Sequence, residues 1–406
     1  MNLKLNHISN IKDNVLQITG SKSETNRLLI LQSLYPEIKI ENISNSDDSQ
    51  LMQVALASTD EVVDIHHAGT AMRFLTAYFA VKNGRETILT GSKRMQERPI
   101  KILVDALRQL GCEITYEKEE GYPPIKIIGK NPESNKVSLA ANVSSQYISA
   151  LMLIASSLPE GLEIVLEGKV TSIPYIKMTL SLLKDVGIQG TFENNVINIH
   201  PLKIATPKLV VVESDWSSAS YFYSIVALSD NRSVTLGSYK QNSYQGDSAL
   251  AQIYKKLGVE TTFHNNQITL TKSSAANESD ELQLDLSNSP DIAQTIAVTC
   301  FGLGKSCYLT GLHTLKIKET DRLEALKIEI EKLGGDVTIT DDSLRLAASK
   351  SIKSEISIDT YHDHRMAMAF APLALRETLL INDADVVSKS YPDFWNDLKK
   401  LDFKVL

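Results

Sequence analysis

Short stretches in which apolar and polar residues alternate, such as CEITY at 112–116 and VTIT at 337–340, are separated by two kinds of longer segment. The first kind opens on a small or polar residue and continues as an Ala- and Leu-rich run that is apolar nearly all round. It begins at Thr70, Ser145, Ser218, Asp291 and His364, at successive spacings of 75, 73, 73 and 73 residues. SETNRLLILQSL, from Ser23, fits the same pattern less strictly. The second kind is an amphipathic run with Lys and Glu on one face, ending in Leu-Gly or Val-Gly before β-branched residues resume. Its terminal glycines are Gly111, Gly187, Gly258 and Gly334. Weaker versions are DSQLMQVALAST and DFWNDLKKLDFKV. A helix apolar on every side belongs in the interior, whereas one with a charged face covers the outside. Glycine suits the left-handed residue that ends a helix. The pattern predicts six units of roughly 65 to 75 residues, each with two helices between short strands, and so an α/β protein. KSSAANESDE, at 272–281, reads as an exposed loop.

Composition narrows the function more than the fold. The 406 residues carry 42 Lys and Arg against 49 Asp and Glu, a net charge of −7, which argues against a broad nucleic-acid-binding surface. A few focused cations can still dominate one small-anion site. No apolar run is long enough to span a bilayer, and MNLKLNHISNIKDN has neither an uninterrupted apolar core nor a small-residue cleavage site, so a cytoplasmic protein is expected. Cys112, Cys300 and Cys307 are odd in number and show no C-x-x-C spacing, suggesting neither disulfides nor zinc.

Four segments place charged or hydroxyl side chains where helices begin, and there backbone N–H groups and the helix dipole favour anions. GSKSETNR (20–27) combines a glycine that permits close approach with Ser21, Lys22, Ser23 and Arg27, without P-loop spacing. HHAGTAMR (66–73) opens a helix at Gly69 and Thr70, and SKRMQERP (92–99) adds Arg94 and Arg98. An arginine fork matches carboxylate or phosphate in two-point fashion. KETDRLEAL (318–326) offers Thr320 as a helix cap and Glu319 as a candidate acid or base beside Lys318 and Arg322. YHDHRMAMAF (361–370) brings Arg365 into an apolar helix. His362 and His364 are two residues apart, diverge on a helix and lack the H-E-x-x-H spacing of a zinc site, so no metal is expected.

Taken in order, these segments resemble the 5-enolpyruvylshikimate-3-phosphate (EPSP) synthase family, the 3-phosphoshikimate 1-carboxyvinyltransferases of the shikimate pathway leading to chorismate and the aromatic amino acids. GSKSETNR, AGTAMRFL, RMQERPIKILVDALRQLG, SSQYISALM, SIPYIKMTL, DWSSASYF, KETDRLEAL, DHRMAMAFA and SKSYPDFW follow the family's motifs from about residue 17 to 401. The resemblance implies two similar domains of three βαβαββ units each, 20–213 and 1–19 plus 214–406, with the active site in the cleft between them. It implies transfer of the carboxyvinyl group of phosphoenolpyruvate to the 5-hydroxyl of shikimate 3-phosphate through a tetrahedral adduct, with release of phosphate. No cofactor, nucleic acid or membrane is needed, and a monomer is expected. By the same resemblance Lys22, Asp291 and Glu319 are catalytic. Lys22, Ser23, Arg27, Ser144, Ser145, Gln146, Ser172, Asp291 and Lys318 hold shikimate 3-phosphate. Lys22, Gly69, Arg98, Gln146, Arg322, Arg365 and Lys389 surround phosphoenolpyruvate.

Four positions depart from the family pattern: Thr19, His67, Ile173 and Thr314. Lys316 or Tyr175 is expected to compensate for the altered phosphate contacts. Two alternatives stand beside this reading. One is the related transfer to UDP-N-acetylglucosamine, whose enzymes often use a cysteine in a loop corresponding to 91–98, where this chain has none. The other is a non-catalytic protein that binds phosphorylated metabolites, against which the full set of Lys22, Asp291, Glu319 and Arg365 argues. A relationship to RNA phosphate cyclases is disfavoured by the acidic charge.

Overall fold

A computed structural model describes residues 1–406 apart from 141–143, 169, 171–172, 205 and 274–280, and every structural statement below concerns the described residues. The chain divides into two compact units, one continuous (Gly20–Val212) and one split (Met1–Thr19 with Glu213–Leu406). Each is built from three small sheets and from helices of the two expected kinds, with one further short helix, Lys93–Gln96, in the continuous unit.

Five of the six sheets share one strand order, in which a parallel pair of strands is extended by two antiparallel strands. In four of them those two strands form a hairpin whose second strand lies next to the pair; in the fifth they are Leu3–Asn6 and Lys404–Val405, from opposite ends of the chain. In the continuous unit Val62–Asp64 runs parallel to Glu86–Thr90, which pairs antiparallel with Ile125–Ile128, and that strand with Glu113–Tyr116. The sheet containing Lys136–Ala140 and Leu162–Glu167 follows the same order. The sixth sheet has only Ile38–Glu41 parallel to Lys208–Val211, so the first and last strands of this unit lie together. In the split unit the amino-terminal segment completes two sheets. Asn14–Gln17 pairs with Ser233–Gly237, and Leu3–Asn6 lies between Leu379–Ile381 and Lys404–Val405.

The apolar helices are interior. Helix Gly69–Ala80 is buried except at Thr70, Ser145–Ala155 except at Gln146, and Trp216–Leu228 except at Ser217. Helix His364–Phe370 repeats the pattern with Arg365 as its one half-buried residue, and Asp291 occupies the matching place ahead of Ala293–Gly302. The repeat therefore leaves one polar residue, at the second position of each interior helix, unsealed by the core. The amphipathic helices lie outside, and Gly111, Gly187, Gly258 and Gly334 end four of them at φ between 79° and 98°, where any side chain would be strained. The loop expected at 272–281 falls largely outside the described residues, and Lys272 itself closes strand Gln267–Lys272. No described helix is long and apolar enough to cross a membrane.

Candidate active site

In the split unit the exposed second positions of the three interior helices meet. Arg365 donates from Nη1 to the Asp291 backbone carbonyl at 3.1 Å and from Nη2 to Ser217 Oγ at 3.3 Å, with Asp291 Oδ2 3.4 Å from Nη2. Ser217, Asp291 and Arg365 are each 74 residues apart, so the repeat itself assembles this contact. Asp363 caps the last helix by accepting from the Arg365 N–H at 2.8 Å, and Asp215 caps Trp216–Leu228 by accepting from Ser218, interactions worth about 1 kcal/mol each.

Arg322 organises the carboxylates around this point. It is 2% exposed, and its three nitrogens donate to three different acids: Nε to Asp363 at 2.6 Å, Nη1 to Asp291 at 2.8 Å and Nη2 to Glu319 at 2.7 Å. Burial opposes a charge here, but Asp363, Glu319 and Asp291 outweigh it and hold the Arg322 pKa above the ordinary arginine value. Arg365 is raised in the same way, against its burial, by Asp291 above all. The Lys318 ammonium stands 3.4 Å from Asp291 Oδ1. Lys389 donates to the His362 carbonyl at 2.7 Å. Helix Arg322–Lys332 is capped not by Thr320 but by Asp321, whose carboxylate accepts from the N–H groups of both Leu323 and Glu324. A carboxylate at the residue immediately before the first turn reaches two orphan donors; a hydroxyl one residue earlier reaches neither. The two histidines flanking Asp363 take separate surroundings: exposed His362 pairs with Asp383 at 2.9 Å, while His364 is buried beside Asp363. Among the described residues no group of three or more His, Cys, Asp or Glu is arranged to hold a metal ion.

The continuous unit gathers a second set of cations at the starts of its interior helices. Lys22 begins helix Lys22–Leu34, and its Nζ lies 3.5 Å from Asp48 Oδ2. Gly20 does permit a close approach, but of the chain's own backbone: a Cβ there would stand 1.8 Å from the Asn42 carbonyl oxygen. Arg27 is 3% exposed and bonds Thr179 Oγ1, the Ser23 carbonyl and Ser149 Oγ at 2.8, 2.8 and 3.0 Å. Burial draws its pKa down to about 10. These bonds tie three helices together and reach the backbone of Ser23. Gln146 donates to Thr70 Oγ1 at 3.2 Å, and the N–H of Gln146 is capped by Ser144 Oγ. Ser145 is buried beside them. Arg98 packs so closely on Gly69 that a Cβ would be 2.6 Å from Arg98 Nη1. Ser172 lies outside the described residues. Arg94, by contrast, pairs with Glu97 on the surface.

Several residues that the motifs do not single out complete these clusters. Arg73 is 4% exposed and bridges the Gly69 and Pro99 carbonyls at 3.2 and 3.1 Å, fixing the two segments that present Gly69 and Arg98. Burial and then the neighbouring Arg98 draw its pKa down to about 10. Tyr147 reaches the same Pro99 carbonyl at 2.6 Å. Asp48, Asp363 and the pair Ser217 and Asp247 are the others. A buried charge inside a motif was the available signal for Arg73 and Asp363; nothing local marks Asp48 or Asp247. Of the residues expected to replace lost phosphate contacts, Lys316 is engaged with Asp341 at 2.6 Å, and the Tyr175 ring centroid lies 5.8 Å from the Arg27 guanidinium. Cys112 is buried, which pushes its thiol up to about 11 and leaves no thiolate nucleophile there at neutral pH.

Comparison with known proteins places this arrangement in context. A family model described as EPSP synthase (3-phosphoshikimate 1-carboxyvinyltransferase) matches residues 55–398. A 3-phosphoshikimate 1-carboxyvinyltransferase of Bacteroides fragilis strain YCH46 is 45% identical over 397 residues, spanning 96% of this chain and 95% of its own. That of Haemophilus influenzae Rd is 34% identical over 427 residues, spanning 97% of each. Among solved structures, an EPSP synthase from Acinetobacter baumannii superposes with a TM-score of 0.82 at 19% identity, over 100% of this chain and 99% of the other. The enolpyruvyl transferase NikO from Streptomyces tendae gives 0.74 at 12% identity, over 100% and 98%. At those identities the two structures speak for the fold, and they agree with an α/β protein of six repeated sheets.

Proposed function

The chain belongs to the EPSP synthase (3-phosphoshikimate 1-carboxyvinyltransferase) family, and from that premise we propose that the clusters described above bind its two substrates and carry its proton transfers. The enzyme is a transferase of the shikimate pathway and aromatic amino-acid biosynthesis. It moves the carboxyvinyl group of phosphoenolpyruvate to the 5-hydroxyl of shikimate 3-phosphate and releases phosphate. The observation that carries the residue assignment is the meeting of Arg322, Arg365 and Lys318 with Asp291 and Glu319 within hydrogen-bond or ion-pair range.

Both substrates bear a phosphate and a carboxylate, so fixed cations at several points are the first requirement. Lys22, Arg98, Arg322, Arg365 and Lys389, with Gln146 and the backbone of Gly69, surround phosphoenolpyruvate. Ser23, Arg27, Ser144, Ser145, Gln146, Ser172, Asp291 and Lys318, again with Lys22, hold shikimate 3-phosphate. In the addition step the 5-hydroxyl, the group assigned to Asp291 and Lys22, loses a proton to Asp291 and attacks C2 of phosphoenolpyruvate while C3 gains a proton from Glu319. In the elimination step Glu319 takes a proton back from the new methyl group as the C–O bond to phosphate breaks, and the departing phosphate carries off the proton given up by the 5-hydroxyl, which regenerates Asp291. Cations that already face carboxylates are placed to stabilise the charge that grows on the departing phosphate. The three free, buried cysteines support a cytoplasmic enzyme.

Phosphate release is measured with phosphoenolpyruvate plus shikimate 3-phosphate, and separately with phosphoenolpyruvate plus UDP-N-acetylglucosamine. Turnover with the first pair is expected; turnover with the sugar nucleotide alone would refute the reading. In the same assay Arg365→Ala is expected to raise KM for phosphoenolpyruvate by about ten- to a hundredfold, the loss of one charged bidentate contact. An unchanged KM would remove Arg365 from the binding set.

Gly69→Ala tests the packing against Arg98. Because the new methyl group would sit 2.6 Å from Arg98 Nη1, the guanidinium must shift, and a displacement of that size raises KM for phosphoenolpyruvate by about tenfold. The far end of a flexible side chain yields easily, so the melting temperature should stay within about 2 °C of wild type. A normal KM would show that Arg98 moves without cost to binding.

A further inference from the structure

We propose that Asp247, acting through Ser217, is a positioning residue that sets the arrangement of Arg365 for phosphoenolpyruvate. Asp247 lies in the short turn Gly246–Ala249, outside every segment that resembles a family motif, and is 8% exposed. The Ser217 hydroxyl donates to its Oδ2 in a short hydrogen bond, and Ser217 Oγ in turn accepts from Arg365 Nη2 at 3.3 Å. The turn is itself anchored to the start of helix Trp216–Leu228. Gln245 accepts from the Trp216 N–H at 2.9 Å and donates to the Ser214 carbonyl at 3.0 Å. Arg365 is thus held between Asp291 on one side and Ser217 with Asp247 on the other.

An ionised Asp247 accepts a hydrogen bond from the Ser217 hydroxyl and leaves an oxygen lone pair of Ser217 facing Arg365. A protonated Asp247 can donate to the same oxygen and compete with the guanidinium for it. The titratable and charged groups facing Asp247 are Asp291, Arg365 and Asp215, and those facing Arg365 also include the neutral phenol of Tyr221 and the Arg322 guanidinium. Burial, followed by the nearby Asp291, pushes the Asp247 carboxyl up to about 6, against the opposing pull of Arg365 and Ser217. The switch in its charge therefore falls inside the range where the enzyme can be assayed.

The inference rests on the assignment of Arg365 to phosphoenolpyruvate. Its test is the ratio of wild-type to Asp247→Asn kcat/KM for phosphoenolpyruvate between pH 5 and 8, in which titration of the substrates cancels. At pH 8 a ratio of about ten is expected, expressed in KM rather than kcat, because the neutral amide is a weaker acceptor for the Ser217 hydroxyl than a carboxylate and can itself donate to Ser217 Oγ in competition with Arg365. Below pH 6 the ratio should approach one, because the wild type then carries an uncharged Asp247 as the variant always does. Ser217→Ala removes the same link without altering Asp247 and is expected to raise KM similarly, which keeps the test open should Asp247→Asn fail to fold. A ratio that does not change with pH, or a loss confined to kcat, overturns the proposal. Failure of the Arg365 assignment itself is separate: it shows as an unchanged KM in Arg365→Ala.

Discussion

Replacing Arg322 by lysine is expected to destabilise the split unit by about 3–5 kcal/mol, as breaking a buried ion pair does, and to lower turnover by about a hundredfold or more. The geometry sets the size. Asp363, Asp291 and Glu319 come from three different segments, and a planar guanidinium reaches all three at 2.6–2.8 Å through separate nitrogens. An ammonium is a single point on a flexible stem and cannot span three acceptors that a fork was shaped to meet. Asp363 is 0% exposed, so whichever acid loses its partner does so with little water to replace it. The stability loss should therefore shrink on acidification, since an unpaired buried carboxylate is relieved by taking a proton. Denaturant unfolding of both proteins at pH 8 and pH 5 measures this. Equal stability at pH 8 would mean that Arg322 is not the hub of the carboxylate cluster.

Much of this architecture was legible because it recurs. Five copies of an apolar helix at a spacing of 73 to 75 residues, with glycine-terminated helices between them, require repeated α/β units whatever their chemistry. Periodicity says which faces are buried, and the buried runs from Gly69, Ser145 and Trp216 follow it. What periodicity cannot supply is which strands from distant units pair. The insertion of Leu3–Asn6 between Leu379–Ile381 and Lys404–Val405 joins the two ends of the chain, and no local pattern encodes a partner nearly 400 residues away. Arg365 stood out as a charge entering an apolar helix, and Lys22, Arg98, Lys318 and Arg322 as charges in polar segments that read as helix starts. Their acidic partners did not stand out. Asp48 sits in the first turn of helix Asp47–Ala57 and Asp247 in the short turn Gly246–Ala249, both places where an aspartate is an ordinary residue, and their importance comes only from what the fold sets beside them, Lys22 in one case and Ser217 in the other. Thr320 was misplaced as a cap for a related reason, since the sequence offers two adjacent capping residues and only the backbone decides which one flanks the first turn.

The net charge of −7 also takes on a different meaning beside these contacts. In the split unit Arg322, Arg365 and Lys318 are each already engaged by acids, so under the proposed assignment incoming anionic substrates compete with Asp291 and Glu319 for the same cations. That competition keeps the arginines oriented before substrate arrives, and orientation costs less when it is built in advance. Under the same proposal it brings the acids into place as proton carriers, because a carboxylate displaced from its cation by substrate is left facing the group it is proposed to protonate or deprotonate.

Glu319→Gln separates these two roles of one side chain. The amide oxygen can still accept from Arg322 Nη2, now 2.7 Å from the Glu319 carboxylate, so the cluster keeps its geometry and unfolding should change by less than about 1 kcal/mol. An amide cannot exchange a proton, and kcat is expected to fall by about a hundred- to ten-thousandfold, with KM for phosphoenolpyruvate within a few-fold of wild type. The reaction offers a second readout, because the methylene carbon becomes a methyl group in the adduct and returns to methylene in the product. In deuterated water, reversal of the adduct leaves deuterium in recovered phosphoenolpyruvate. If Glu319 carries that proton, the rate of deuterium incorporation falls by the same factor as turnover. If turnover falls while incorporation continues at the wild-type rate, another group moves the methyl proton and Glu319 serves a later step. Unaltered turnover would exclude Glu319 from proton transfer altogether, and its 31% exposed carboxylate would then be only a partner that orients Arg322.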